Sequence, residues 1–133
     1  MAFQFSVAAR NASLDAIETT VGTAPTLEIR TGAPPATAAT ADSGTLLASM
    51  ALPSDWLAAA SAGAKTLLGT WQDTSADAAG TAGHFRIKQG ATCHIQGTVT
   101  ATGGGGDMTL DNVSIAAAQQ VTITAFTINA GGA

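Results

Sequence analysis

The chain has 133 residues, of which 46% are hydrophobic, 5% aromatic and 11% charged, and its formal net charge is −4 at pH 7. A chain of this length is expected to form one domain that buries a core without a structural metal, and its single cysteine, Cys93, excludes an internal disulfide. The five basic residues are scattered, so direct nucleic-acid binding, which needs a concentrated basic surface, is not expected.

Residues 1–22 predict an N-terminal arm followed by one helix. Apolar residues recur there at helical spacing; they are Leu14, Ile17 and Val21. The charged residues of this segment are expected on the other side of the helix; they are Arg10, Asp15 and Glu18. Gly22 is a natural end for the helix. The segment lacks the basic start and the long apolar run of a signal peptide, and no window of the chain is apolar enough for a membrane span.

Residues 26–31 predict a strand, because Leu27 and Ile29 alternate with polar neighbours. The next segment, residues 32–44, holds a Pro-Pro pair and a run rich in alanine and threonine, which favours an extended and irregular course. A loop of this kind is expected to reach outward or to cross between sheets.

Two strand candidates, residues 45–52 and 65–73, flank a turn that holds Trp56. Tryptophan supplies a large buried area in either a core or an interface. Trp56 is expected in the core. Trp71, at the end of the second candidate strand, fits either a core position or a partner contact.

The clearest alternation in the chain lies in residues 84–88. Phe85 and Ile87 share one face of this strand, and the other face carries His84, Arg86 and Lys88. Gly90 then turns the chain into a returning strand, so a β-hairpin is expected. The polar face of the hairpin is expected to be solvated or to meet acidic groups of a partner.

The last third of the chain continues in short strands. A flexible hairpin turn is expected at the glycine run, residues 103–107, with strands at 108–115 and 121–128. Short strands at a spacing of about ten residues indicate an antiparallel sandwich or barrel. The prediction is a mostly β fold: an antiparallel, jelly-roll-like β-sandwich over residues 23–133, preceded by one short N-terminal helix.

The residues that carry chemistry are too few to predict a reactive site. The glycine run lacks the Lys-Ser/Thr pair and the helix of a phosphate loop, and the acidic residues lack the spacing of a calcium loop. His84, His94 and Cys93 fall short of a zinc ligand set. Cys93 and His94 are adjacent on a strand, so they point to opposite faces and cannot react together. No cofactor and no enzymatic activity are expected.

Four phrases carry a resemblance: LEIRTGAPP (27–35), SGTLLASMALP (43–53), AGTAGHFRIK (79–88) and QGTVTATGGGGDMTLDN (96–112). The chain resembles small structural proteins encoded among the head and tail genes of tailed bacteriophages. The resemblance implies a jelly-roll capsid cement or decoration protein that binds the outer capsid surface and bridges capsid subunits. Its implied partner is the major capsid protein, with self-association as a dimer or trimer, on a virion whose parts are made in the host cytoplasm.

Two other functions stay open at this point. Related β-modules also occur in tails, collars and connectors, which predicts few copies in a ring. A host-glycan-binding β-domain is the third hypothesis, although the chain offers no aromatic platform for a sugar beyond its two tryptophans.

Eight residues are the candidates for contact with a partner. Phe3 and Phe5 are expected to anchor the arm to the shell or to a second copy, because exposed aromatic side chains near a terminus otherwise lack a partner. The remaining candidates are Arg30, Pro34, Pro35, Trp71, Arg86 and Lys88. An exterior of alanine, serine and threonine loses little hydration or side-chain entropy when an interface closes, which favours permanent contact.

Overall fold

The computed structural model describes residues 3–132; residues 1 and 2 of the predicted arm and residue 133 of the predicted sandwich lie outside them. Within that range the fold is mostly β with one helix, as predicted. The elements are α1 (Val7–Val21), β1 (Thr26–Thr31), β2 (Leu46–Ala51), β3 (Ala64–Thr66), β4 (Trp71–Asp73), β5 (Gly80–Gln89), β6 (Thr92–Ala101), β7 (Met108–Leu110), β8 (Ser114–Ile115), β9 (Val121–Ile123) and β10 (Thr127–Asn129).

Six of the strands form a curled sheet, a half-barrel, and the predicted jelly-roll sandwich is not confirmed. Its strand order is β2-β1-β5-β6-β7, and β8 pairs with the start of β5. The register shifts between Ile29 and Arg30 and again between Ile87 and Lys88, and such irregularities bend and twist a strand. The remaining strands are three residues long and form two separate pairs, β3 with β10 and β4 with β9. Strands that short do not build a second sheet able to face the first.

The predicted hairpin of β5 and β6 is confirmed, with His84 opposite Thr98 and Arg86 opposite Gln96. The glycine run after β6, in contrast, is not a hairpin turn, because β7 runs parallel to β6. The parallel contact consists of three residue pairs, from Val99 with Met108 to Ala101 with Leu110. After β6 the chain must therefore fold back beside the end of that strand before β7 begins. Gly103 and Gly105 adopt positive φ angles of 86° and 82°, which allow that tight return.

Four aromatic rings form the centre of the core. The ring centroids of Trp56 and Trp71 are 6.0 Å apart, those of Trp71 and Phe126 are 5.6 Å apart, and Phe126 stands edge-on to Phe85 at 5.5 Å. Trp56 is a core residue, as predicted. Trp71 is 0% exposed, which corrects its candidacy for partner contact. Its indole N–H donates to the Leu68 carbonyl oxygen at 3.1 Å, so burial leaves no polar group unpaired there.

Helix α1 lies on the protein with a polar stripe facing inward. The Ser6 hydroxyl accepts a hydrogen bond from the Ala9 amide at the helix start, and Gly22, with φ at 95°, ends the helix as predicted. Asp15 and Glu18, expected on the outer side, accept hydrogen bonds from the amides of Ala60 and Leu57. The prediction for the helix faces was partly right: Leu14 and Val21 are buried, whereas Ile17 is exposed and Glu18 contacts the loop beneath the helix. Loop amides in residues 57–63 need acceptors, and the polar side chains of the helix supply them.

Candidate interaction surface

Residues 32–44, here called the strap, lie across the polar face of β5 and β6. The expectation that this loop reaches outward or crosses between sheets is corrected by two contacts. The Nδ1 atom of His84 lies 2.9 Å from the Gly32 carbonyl oxygen, and the Gln96 amide donates to the Pro35 carbonyl oxygen at 2.7 Å. The face expected to be solvated is thus covered by the chain itself.

The Arg86 guanidinium is the main fastening of the strap. Its Nη2 donates to the carbonyl oxygens of Ala38 at 2.7 Å and Thr40 at 2.9 Å, and its Nη1 donates to Asp42 Oδ1 at 2.7 Å. Its Nε donates to Cys93 Sγ at 3.2 Å. A planar fork with several fixed donors suits one side chain to hold a loop at several points. Arg86 is 1% exposed, so its predicted role as a docking residue is corrected.

The Asp42 carboxylate also forms ion pairs with the other two basic candidates, Arg30 and Lys88. Lys88 Nζ lies 2.7 Å and Arg30 Nη2 3.3 Å from Asp42 Oδ2, and Arg30 Nε also donates to Glu28 at 3.0 Å. The structure therefore brings Arg30, Arg86 and Lys88 together beside the strap. Asp42 and Glu28 offset two of the three positive charges, and all three basic side chains are largely buried, so they hold the strap more than they present charge to a partner.

The proline candidates form part of the strap. Pro34 and Pro35 are half-buried, while most side chains around them point to solvent. The exposed strap positions carry no charge up to Asp42; they are Gly32, Ala33, Ala36, Thr37, Ala39, Thr40 and Ala41. The outer surface of the strap therefore carries small, uncharged side chains, and the hydrogen bonds of Arg86 hold the strap from its inner side.

Acid is expected to loosen the strap. The hydrogen bond from Lys88 holds the pKa of Asp42 below its ordinary value, against an opposing effect of burial, and attraction to Arg30, Lys88 and Arg86 adds to the lowering. A depressed folded pKa contributes stability that is complete above the ordinary value of about 3.9 and is lost as the pH falls through the folded pKa. The urea midpoint should hold from neutral pH down to about pH 5 and fall below about pH 4.

Asp42→Asn should reduce that acid dependence, since it removes one titrating group, and the remainder is expected from Asp15, whose pKa is lowered by its hydrogen bond from Lys65. Asp111→Asn, at an exposed aspartate outside the strap, is the matched control and should keep the wild-type slope. An unchanged acid slope in Asp42→Asn would show that this carboxylate does not couple the strap to the fold.

A second ionic cluster fixes the helix. Lys65 is buried on β3, and its ammonium lies 2.6 Å from Asp15 Oδ1 and 2.9 Å from Glu18 Oε1. Burial acts to lower the pKa of Lys65, but the hydrogen bonds to Asp15 and Glu18 outweigh it and raise that pKa. The lysine stays charged, and four of the five basic side chains are thus engaged in ion pairs within the chain: Arg30, Lys65, Arg86 and Lys88.

The N-terminal arm and the outer side of α1 form a second exposed surface, here called the arm face. Phe3 is 74% and Phe5 50% exposed, and their rings meet edge to face at 5.5 Å. The Phe5 amide donates to the Gly132 carbonyl oxygen at 2.7 Å, which holds the arm beside the end of the chain. Val7 and Ile17 are also exposed. The predicted placement of Phe3 and Phe5 at the surface is confirmed; their partner stays a prediction.

The exposure of Ile17 was not predicted from the sequence, because its spacing places it on the same apolar helix face as Leu14 and Val21. The signal was present in the polar residues Asn11, Asp15 and Glu18, which recur at i, i+4 and i+7 and form a stripe of their own. Apart from Val7, Asp15 and Ile17, the exposed helix positions carry small neutral side chains: Ala8, Ala9, Ala12, Ser13, Ala16, Thr19 and Thr20.

The histidines and the cysteine lie apart or in structural contacts within the described residues. No group of three or more His, Cys, Asp or Glu side chains in residues 3–132 is placed to hold a metal ion. His84 is buried under the strap, whereas His94 lines a groove beside α1, so the two histidines do not converge. Cys93 Sγ also lies 3.3 Å from the Ile95 carbonyl oxygen, and its contacts are structural.

Comparisons with known proteins give no match. Neither a family model, a curated protein nor a solved structure matches the chain. The one helix described is too short and too polar to cross a membrane.

Proposed function

We propose that this chain is a virion structural protein that binds the outer surface of a capsid as a cement or decoration protein. The observation that carries the proposal is the uncharged outer surface of the strap, held rigid by Arg86 and Asp42 beneath it. A surface of alanine, threonine and proline is easily dehydrated, and a loop that is already ordered loses little entropy when it binds.

The proposed partner is the major capsid protein, and the strap is the proposed contact. Because Arg86 and Lys88 support the strap from within, the contact uses shape and apolar area more than charge. A decoration protein meets many identical sites on one shell, so a modest contact at each site suffices when one molecule engages two of them.

The alternatives differ in what they require of the surface. A tail, collar or connector component would use the same neutral exterior in a ring of few copies. A glycan-binding domain would need aromatic rings exposed as a platform, and both tryptophans are fully buried, which disfavours it.

The test is reconstitution on particles that lack this protein. Purified wild-type chain should bind in many copies per particle, measured by quantitative mass spectrometry of washed particles. Ala36→Glu should lower the affinity at least about tenfold, because the new carboxylate must be dehydrated in the contact. Ala117→Glu, at an exposed position outside the strap, is the matched control and should bind like wild type.

Binding in only a few copies, located at one vertex or on the tail, would favour the collar or tail alternative. Full binding by Ala36→Glu would remove the strap from the contact. No binding to particles together with binding to a glycan panel would overturn the proposal in favour of host attachment.

A further inference from the structure

We infer that the arm face is the site at which two copies of this chain bind each other. The inference rests on the proposed function, since a dimer joined there would present two straps to the shell. It is nevertheless carried by different residues and tested by a different measurement.

The arm face has both a projecting side chain and a groove, so it can be complementary to a second copy of itself. The exposed ring of Phe3 projects from the same surface that contains an apolar groove of about 450 Å³ between α1 and the end of β10. Phe5, Leu14, Ile17 and Ile128 are among the residues that line the groove. A projection and a groove on one patch permit a twofold arrangement in which each copy inserts Phe3 beside Ile17 of the other.

The distribution of charge favours contact between two copies at the arm face. Each copy has a formal net charge of −4, so two copies repel unless they meet on a neutral surface. Most outward positions of α1 are neutral, and its two acidic side chains, Asp15 at 53% exposure and Glu18, are paired with Lys65. Arg10 lines the groove and brings one positive charge from each copy to the contact, where it lies between two chains of net negative charge.

The exposed area of the arm face is close to the minimum that a specific dimer needs. A helix of 15 residues is about 22 Å long and about 11 Å wide, so its outer face covers about 240 Å². Phe3 and Phe5, at their exposed fractions, add roughly 250 Å² of aromatic surface. Two copies would bury about 1,000 Å² in total, the lower limit for a specific interface. The expected dimer is therefore weak and depends on concentration in solution.

Small residues at the outermost positions let two such helices approach closely. Ala8, Ala12 and Ala16 recur every four residues along the face, so no long side chain has to be ordered or displaced at the contact. Phe3 and Ile17 then provide the large apolar side chains that bury most of the area.

The experiment is sedimentation velocity on the full chain over a concentration range of about 1 μM to 1 mM. Wild type should move from monomer to dimer across this range. Ala16→Glu should raise the dissociation constant at least about tenfold, because two carboxylates would meet in the interface. Glutamate is a good helix former, so the helix itself should persist, which circular dichroism checks.

Phe3→Ser is the second variant, since Phe3 precedes the helix and is 74% exposed, so its loss should leave the core packing intact. It should weaken the dimer as well. Ala36→Glu, on the strap, is the matched control and should dimerise like wild type. A monomer at every wild-type concentration, a trimer, or an undiminished dimer in both Ala16→Glu and Phe3→Ser would overturn the inference.

The two proposals fail in distinguishable ways. A dimer that is sensitive to Ala16→Glu but does not bind particles would overturn the decoration function and leave the dimer standing. Strap-dependent binding to particles by a chain that stays monomeric would do the reverse.

Discussion

Replacing Arg86 with methionine is expected to lower the free energy of unfolding by about 3–5 kcal/mol. The side chain is 1% exposed and holds two strap carbonyls and the Asp42 carboxylate. Methionine fills a similar length but donates no hydrogen bond, so the carbonyls of Ala38 and Thr40 lose theirs, while Asp42 keeps those from Lys88 and Arg30. Urea denaturation at pH 7 measures the loss, and amide exchange in the strap should rise at the same time.

Arg86→Lys is the matched control for this substitution. Lysine keeps the charge near Asp42 but lacks the planar fork, so it cannot serve the carbonyls of Ala38 and Thr40 together. Its stability should lie between those of wild type and Arg86→Met. A methionine variant within about 1 kcal/mol of wild type, with the strap still protected from exchange, would contradict the role of Arg86 as the fastening.

Replacing Trp71 with alanine is expected to lower the free energy of unfolding by about 3–5 kcal/mol, enough to leave the domain marginal or unfolded. The substitution removes the ring between Trp56 and Phe126 at the centre of the core. Trp71→Phe keeps an aromatic ring there and should lose less. The measurement is thermal and urea unfolding followed by circular dichroism.

Leu68→Ala is the control within the same segment, because that side chain is partly exposed and its carbonyl, the acceptor for Trp71, is unchanged. It should cost about 1 kcal/mol or less. If Trp71→Ala were instead as stable as wild type and lost only binding to a partner, Trp71 would belong to an interface and the core assignment would be wrong.

Local patterns in the sequence were sufficient for several elements. The period of two at Phe85 and Ile87, followed by Gly90, predicted the hairpin of β5 and β6 because alternation and turn chemistry act over neighbouring residues. The end of α1 at Gly22 was predicted for the same reason. The candidate strand at 65–73 was only partly right, since Gly69 divides it into β3 and β4.

The prediction failed where long-range partners decide a residue's environment. Arg86 looked like a solvent-facing residue because alternation shows which face a side chain takes and not what covers that face. The strap that covers it lies more than 40 residues away in sequence, as the hydrogen bonds to Ala38 and Thr40 record. The inward stripe of α1 likewise depends on Lys65, which is 50 residues from Asp15.

By itself, then, the sequence determined a mostly β chain with one N-terminal helix, a hairpin over residues 84–102 and exposed phenylalanines in the arm. Only the tertiary structure decided that the sheet curls, that the strap closes over Arg86, and that four of the five basic side chains form ion pairs within the chain. The physical reason is that periodicity and turn preference are local, whereas burial of a charge depends on a partner brought near by the whole fold.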